Sequence, residues 1–91
     1  MRMLMETARL VTYRTAAMLD AGEDAVTETA IAKVVATENN FKAADLGMQV
    51  MGAAGYVQGD MQRLFREGRM GMIGGGTSEI LRNVIAKRMG I

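Results

Sequence analysis

Residues 74 to 80 read Gly74-Gly75-Gly76-Thr77-Ser78-Glu79-Ile80, and their reading decides the fold class. A triple glycine, nearly free of steric restriction, runs straight into a helix start. Thr77 is placed to cap the first turn, and Glu79 sets a negative charge on it. Ile80, Leu81, Val84 and Ile85 then give the helix an apolar face. Such a junction aims free backbone N–H groups at an approaching group, and without Cβ atoms a ligand can come close. The same residues also suit a plain turn between two helices. Either way the junction opens a helix.

Working outward, the rest of the chain carries helical periodicity. From Arg2 to about Ala21, Leu4, Ala8, Val11, Thr15 and Met18 recur at steps of three and four, a stripe widened by Met3, Leu10 and Ala17. Gly22 ends it, and the polar stretch Asp20 to Asp24 suits a short loop between antiparallel helices. From about Val26 to Met51, Ile31, Val34, Val35, Phe41, Ala44 and Met48 repeat at helical steps. At ~1.5 Å per residue that helix spans roughly 40 Å. Glu28, Lys33, Glu38, Lys42 and Asp45 fall mostly off its stripe and are expected to face water. Gly52 and Gly55 terminate it.

Beyond, Gln58 to Asp60 reads as a turn, Met61 to Glu67 as one or two helical turns, and Met70 to Gly76 as an extended loop. Arg88 and Gly90 suit the C-terminus of the last helix. The expectation is an all-α chain of one domain, 1–91, with helices over about 2–21, 26–51 and 78–89 and a short helix over about 61–67.

Composition narrows the function classes. Ten acidic and eleven basic residues leave a net charge of +1, which gives no electrostatic case for nucleic acid or an anionic membrane. There is no cysteine and no histidine, which removes thiolate chemistry, the usual neutral-pH base and the commonest metal ligand. No apolar run approaches the roughly 20 residues of a membrane span, and no secretory pattern opens the chain, so a cytoplasmic protein is the default. Proline is absent, so nothing interrupts long helices from within. Ten methionines are unusual for 91 residues; at helical spacing they are expected mainly to fill the core, although methionine also suits adaptable partner surfaces.

Six stretches carry a family resemblance. Phe65-Arg66-Glu67-Gly68-Arg69, Ile73-Gly74-Gly75-Gly76-Thr77-Ser78-Glu79-Ile80 and Leu81-Arg82-Asn83-Val84-Ile85-Ala86-Lys87 together resemble the C-terminal signature of the acyl-CoA dehydrogenases. Ala8-Arg9-Leu10-Val11-Thr12-Tyr13-Arg14 and Ala32-Lys33-Val34-Val35-Ala36-Thr37-Glu38 are similar to the two preceding helices of that family's C-terminal bundle. Gln49-Val50-Met51-Gly52-Ala53-Ala54-Gly55-Tyr56 is similar to the end of the second of these helices. Order and spacing match from about Glu6 to Ile91. The resemblance implies a partial up-and-down helical bundle, since the family's four-helix domain begins upstream of the position matching Met1. It also implies an apolar groove, most simply filled by another copy of the chain.

The resemblance further implies the oxidation of the Cα–Cβ bond of an acyl-CoA thioester. A glutamate removes the α proton while the β hydrogen leaves as hydride to the FAD. In many members that glutamate directly precedes the Gly-Thr pair. Here the position is Gly75, which has no group to accept a proton. Isovaleryl-CoA and long-chain types have a small residue there and carry the base on an earlier helix, which would lie before Met1. The other explanation is that dehydrogenase chemistry has been lost, leaving a stand-alone oligomerisation module.

Cofactor positions carry over by the same resemblance. Thr77 and Glu79 match residues that touch the flavin dinucleotide. Gln49, Gly52 and Ala53 match a Gln-x-x-Gly-Gly segment that reaches the dinucleotide of a neighbouring subunit, with Ala53 adding a methyl where the family has its second glycine. Read without the resemblance, Gln49 is a surface amide, Gly52 a helix C-cap, and Glu79 a helix-dipole partner worth ~0.3–1 kcal/mol. Arg66 and Arg69 resemble an Arg-Asp-x-Arg element with Glu67-Gly68 in place of Asp-x. They are expected to form ion pairs worth ~0–1 kcal/mol each if exposed.

Overall fold

The computed structural model describes all 91 residues, as five helices and no strand. They are α1 (Arg2–Asp20), α2 (Val26–Met51), α3 (Ala53–Tyr56), α4 (Asp60–Gly71) and α5 (Ser78–Arg88). The central helix α2 is the spine. Helix α1 packs along it as one arm of a hairpin, while α4 and α5 pack on it one after the other.

The hairpin follows from local chemistry. At the end of α1 the Glu23 N–H donates to the Met18 carbonyl and the Gly22 N–H to the Leu19 carbonyl, both at 3.0 Å. This paired closure needs a left-handed residue, supplied by Gly22 at φ 74°. The Asp24 carboxylate then accepts from the Val26 N–H at the start of α2 (3.2 Å). The stripe Leu4, Ala8, Val11, Thr15 and Met18 faces α2, with Thr15 buried. Met3, Leu10 and Ala17, expected to widen it, are exposed.

Helix α4 runs antiparallel to α2. Phe65 stacks at a tilt on Phe41, with ring centroids 5.1 Å apart, and the Arg69 guanidinium lies 4.3 Å above the Phe41 ring. Further along, buried Gly68 lies against Asn40 and Phe41, and Gly71 against Thr37. These small residues let the two backbones come together. The expected short helix over 61–67 is therefore a three-turn helix over 60–71, because packing on α2 stabilises turns that glycine-rich sequence alone does not favour. The stretch 70–76 is correspondingly not an extended loop: its first two residues are helical and the rest form turns.

The ion pairs also differ from expectation. Arg66 donates to the Gln62 side chain at 3.2 Å, and Arg69 sits on an aromatic ring. On α4 the ion pairs belong to Arg63, with Asp60 at 3.7 Å and Glu67 at 3.3 Å.

Helix α5 sets its half-buried Leu81, Val84 and Ile85 toward the hairpin and adds two ion pairs to it. Arg82 makes two bonds to the Glu38 carboxylate, at 2.6 and 3.0 Å, and Arg88 pairs with Asp24 in the hairpin loop. Both partners therefore lie on the α1–α2 hairpin, and Glu38 is not the solvent-facing residue its position off the stripe suggests. Its side chain is only 25% exposed. The Arg82 hydrogen bonds hold its carboxyl below the ordinary value, against a smaller opposing effect of burial. The buried Ser78 hydroxyl acts in the same sense, although it makes no hydrogen bond of normal geometry. Asp24 is likewise lowered, first by the Val26 N–H and then by Arg88.

Little of this is a closed core. Only eight of the 91 residues are buried, and no large side chain is completely enclosed. Six of the ten methionines are exposed and none is buried, which corrects their expected role as core filling. The molecule measures 46 × 23 × 18 Å with a radius of gyration of 15.2 Å, against about 12 Å for a compact chain of this length. Its surface is 6357 Å², about 1,200 Å² more than a folded monomer of this mass exposes.

Two outcomes are expected. At low micromolar concentration, sedimentation equilibrium gives a mass of at least twice the 9.8 kDa chain; a well-folded 9.8 kDa monomer would contradict the open architecture. The Glu38–Arg82 pair stabilises fully above the ordinary carboxyl value of 4.5, and that contribution is lost as pH falls through the lowered folded value. Glu38→Gln therefore lowers the urea midpoint at pH 7, and the gap from wild type is smaller at an acid pH below that lowered folded value. An equal gap at both pH values would show that the charge does not matter.

Candidate functional site

The break between α4 and α5 is the most unusual backbone in the molecule. At the end of α4, the N–H groups of Ile73 and Gly74 both donate to the Met70 carbonyl, at 3.0 and 2.8 Å. The Ser78 N–H returns to the Met72 carbonyl at 3.2 Å, which closes residues 72–78 into a compact loop. Within it Gly75 and Gly76 have φ values of 69° and 100°, which only glycine adopts without strain. Thr77 then enters the helix in extended conformation, and its Oγ1 accepts from the Ile80 N–H at 3.1 Å. This is the N-cap that the Thr-Ser-Glu sequence predicts.

The cap leaves donors to spare. The N–H groups of Gly75, Gly76, Thr77 and Glu79 have no acceptor within the chain. They cluster at a helix N-terminus, where the helix dipole favours negative charge. Glu79 is exposed on the first turn.

One lysine reaches this loop. Lys33, in the middle of α2, donates from Nζ to the Gly76 carbonyl at 2.6 Å, so it does not simply face water as its position off the stripe suggests. Its role was missed in the sequence, although a lone cation within Ala30-Ile31-Ala32-Lys33-Val34-Val35 is a faint signal for a polar partner.

Gly75 is the position that the sequence resemblance matches to the family's commonest base. Nothing lies within 4 Å of where its Cβ would stand. It borders an apolar recess of about 510 Å³ whose walls include Leu19, Val26, Ala30, Leu81 and Val84.

Gln49, Gly52 and Ala53 lie elsewhere. All three are exposed at the far end of α2, where Gln49 and Gly52 line a shallow recess of about 270 Å³ with Asp45, Met48 and Tyr56. Gly52 forms the C-cap of α2, its N–H donating to the Met48 carbonyl at 3.0 Å. Sixteen positions of helix separate Gln49 from Lys33 at the glycine loop, about 24 Å along the axis. The structure brings Thr77 and Glu79 together, and separately Gln49, Gly52 and Ala53; it does not join the two groups within one protomer.

Comparison with known proteins agrees with this anatomy. The sequence profile described as acyl-CoA dehydrogenase, C-terminal domain, matches residues 1–90. The short-chain specific acyl-CoA dehydrogenase of rat mitochondria is 38% identical over 87 residues, 94% of this chain and 21% of that protein. The benzylmalonyl-CoA dehydrogenase of Aromatoleum aromaticum is 38% identical over 86 residues, 93% of this chain and 23% of that protein. A crystal structure described as an acyl-CoA dehydrogenase from Mycobacterium smegmatis superposes with a TM-score of 0.93 at 33% identity. That match covers 98% of this chain and 24% of the other. The chain thus spans about a fifth to a quarter of the length of these relatives. It belongs to the acyl-CoA dehydrogenase family and corresponds to the family's C-terminal helical domain.

Proposed function

We propose that this bundle acts as the C-terminal portion of a flavin-dependent acyl-CoA dehydrogenase. In that role it supplies FAD contacts and a subunit interface for α,β-dehydrogenation of an acyl-CoA thioester. The observation that carries the reading is the capped α5 N-terminus, where the N–H groups of Thr77 and Glu79 are unpaired; the resemblance matches these two positions to cofactor contacts. Backbone donors at a helix N-terminus suit the phosphate oxygens of a dinucleotide, so the residues present fit the group. Bound FAD supplies the hydride acceptor. The bundle's part is to hold and orient it.

Gln49, Gly52 and Ala53 act on the cofactor of a neighbouring subunit, which accounts for their distance from Thr77. Homo-oligomer formation through the helix faces brings them to it, and exposed Met3, Leu10 and Tyr13 on α1 supply apolar surface for that contact. Gly75 offers no proton acceptor, so proton abstraction falls to a carboxylate outside these residues. An oligomerisation module without chemistry is less well supported, because relatives matched along more than nine-tenths of this chain are named as dehydrogenases. No helix is long and apolar enough to cross a membrane. The cytoplasmic placement is part of the proposal, beside a rat relative whose name places it in mitochondria.

Two measurements test the reading. The 91 residues alone bind FAD weakly or not at all, because a few dinucleotide contacts do not offset the several kcal/mol of ordering a ligand. Protein that keeps stoichiometric flavin through extensive dialysis would contradict this. Gly75→Glu rebuilds the commonest family motif, yet it creates no acyl-CoA-dependent dye reduction with excess FAD, since base, thioester and flavin must meet within ~3 Å. It also lowers stability by about 1–2 kcal/mol, because the glutamate inherits a left-handed backbone. Turnover above the unmodified chain would show that the bundle alone builds a working site.

A further inference from the structure

The loop between α4 and α5 has a weakness that its sequence creates. Glycines at 74, 75 and 76 let its peptide planes rotate with little steric penalty, so the direction of each N–H is not fixed by the chain itself. The Ser78 to Met72 bond ties the base of the loop. Between Gly74 and Thr77, a single tertiary hydrogen bond reaches the backbone: Lys33 Nζ to the Gly76 carbonyl, 2.6 Å.

That bond has a directional consequence. All peptide bonds here are trans, and in a planar trans peptide the C=O and the following N–H point in opposite directions. Holding the Gly76 carbonyl toward α2 therefore turns the Thr77 N–H away from α2. There it has no acceptor within the chain. We propose that Lys33 is a positioning residue, fixing the Gly76–Thr77 peptide so that the Thr77 N–H is presented to the bound dinucleotide. The orientation stands on the geometry, and only its use by FAD rests on the function proposed above.

Lys33 suits the task. It is half-buried in the middle of α2, the most firmly packed helix, and the bond spans 43 positions of sequence. A charged donor to a carbonyl is stronger than a neutral one. The lysine is also a cation on the loop's inner side, where it leaves the outward N–H groups unobstructed.

The test separates orientation from charge. N–H residual dipolar couplings are measured on the weakly aligned wild-type chain and on Lys33→Met, Lys33→Gln and Lys33→Arg, without ligand. The Thr77 coupling is expected to change or average toward zero in Lys33→Met, with the α2 and α5 couplings retained, and to recover at least partly in Lys33→Arg. A Thr77 coupling identical in wild type and Lys33→Met overturns the proposal. Should Lys33→Met not fold, Lys33→Gln replaces it. The wild type gives its own check: the Lys33 ammonium protons must show slowed exchange and contact with the Gly76–Thr77 peptide, and a freely exchanging ammonium overturns the proposal. Titration with inorganic pyrophosphate then addresses the cofactor. Shifts at the Thr77 and Glu79 amides, weakened about tenfold in Lys33→Met, support both statements. Pyrophosphate shifts that fall elsewhere on the wild-type chain and spare the Thr77 and Glu79 amides count against the flavin reading alone, because the couplings have already decided the orientation.

Discussion

Everything in this molecule is hung on α2. The other helices meet it, and no second layer closes over them. A central helix of 26 residues flanked by partners on two sides cannot enclose large side chains, and none is enclosed here. The consequence is a division of labour between two kinds of contact. Apolar packing sets α1 and α4 against the spine, through the Leu4-to-Met18 stripe and the Phe41–Phe65–Arg69 stack. Helix α5 adds charge to its packing, with Arg82 on Glu38 and Arg88 on Asp24.

That division explains why the glycine loop sits where it does. Helices α4 and α5 follow one another down α2, so the chain needs a break whose two ends stay close. The Ser78 to Met72 bond, the left-handed glycines and the Thr77 cap provide it. The break exposes the start of α5 with its donors unpaired, while polar bonds from α2 hold it from beneath. A helix N-terminus held in this way has little reorganisation left to do when an anion arrives, which is the physical content of preorganisation.

The sequence was most legible where one local rule decided the outcome. Thr77 caps α5 because a threonine oxygen three residues before an amide at a helix start has an obvious use. Gly22 ends α1 because the closure of that hairpin needs a left-handed residue. The α1 stripe also reads correctly, since its spacing alone fixes which side meets a neighbour. The family signature in residues 65–87 made the fold class and family readable together. Tertiary choices were not legible. Helix α4 runs past its apparent end because Gly68 and Gly71 fit against α2, which no local propensity reports. Arg69 lies on Phe41 instead of pairing with a carboxylate, and Lys33 and Glu38 face α5 and its loop because those elements return to α2 more than forty positions later. The methionines look like core by spacing and are largely surface, because the single-layer arrangement offers no second face to bury them.

Under the proposed function, one protomer offers its cofactor contacts in two places that serve different flavins. The direct measurement is the structure of a flavin-loaded full-length protein carrying this bundle. The prediction is that each FAD meets Thr77 and Glu79 of one subunit and Gln49, Gly52 and Ala53 of a neighbour. An FAD contacted by both groups from the same subunit, or by neither group, would contradict it.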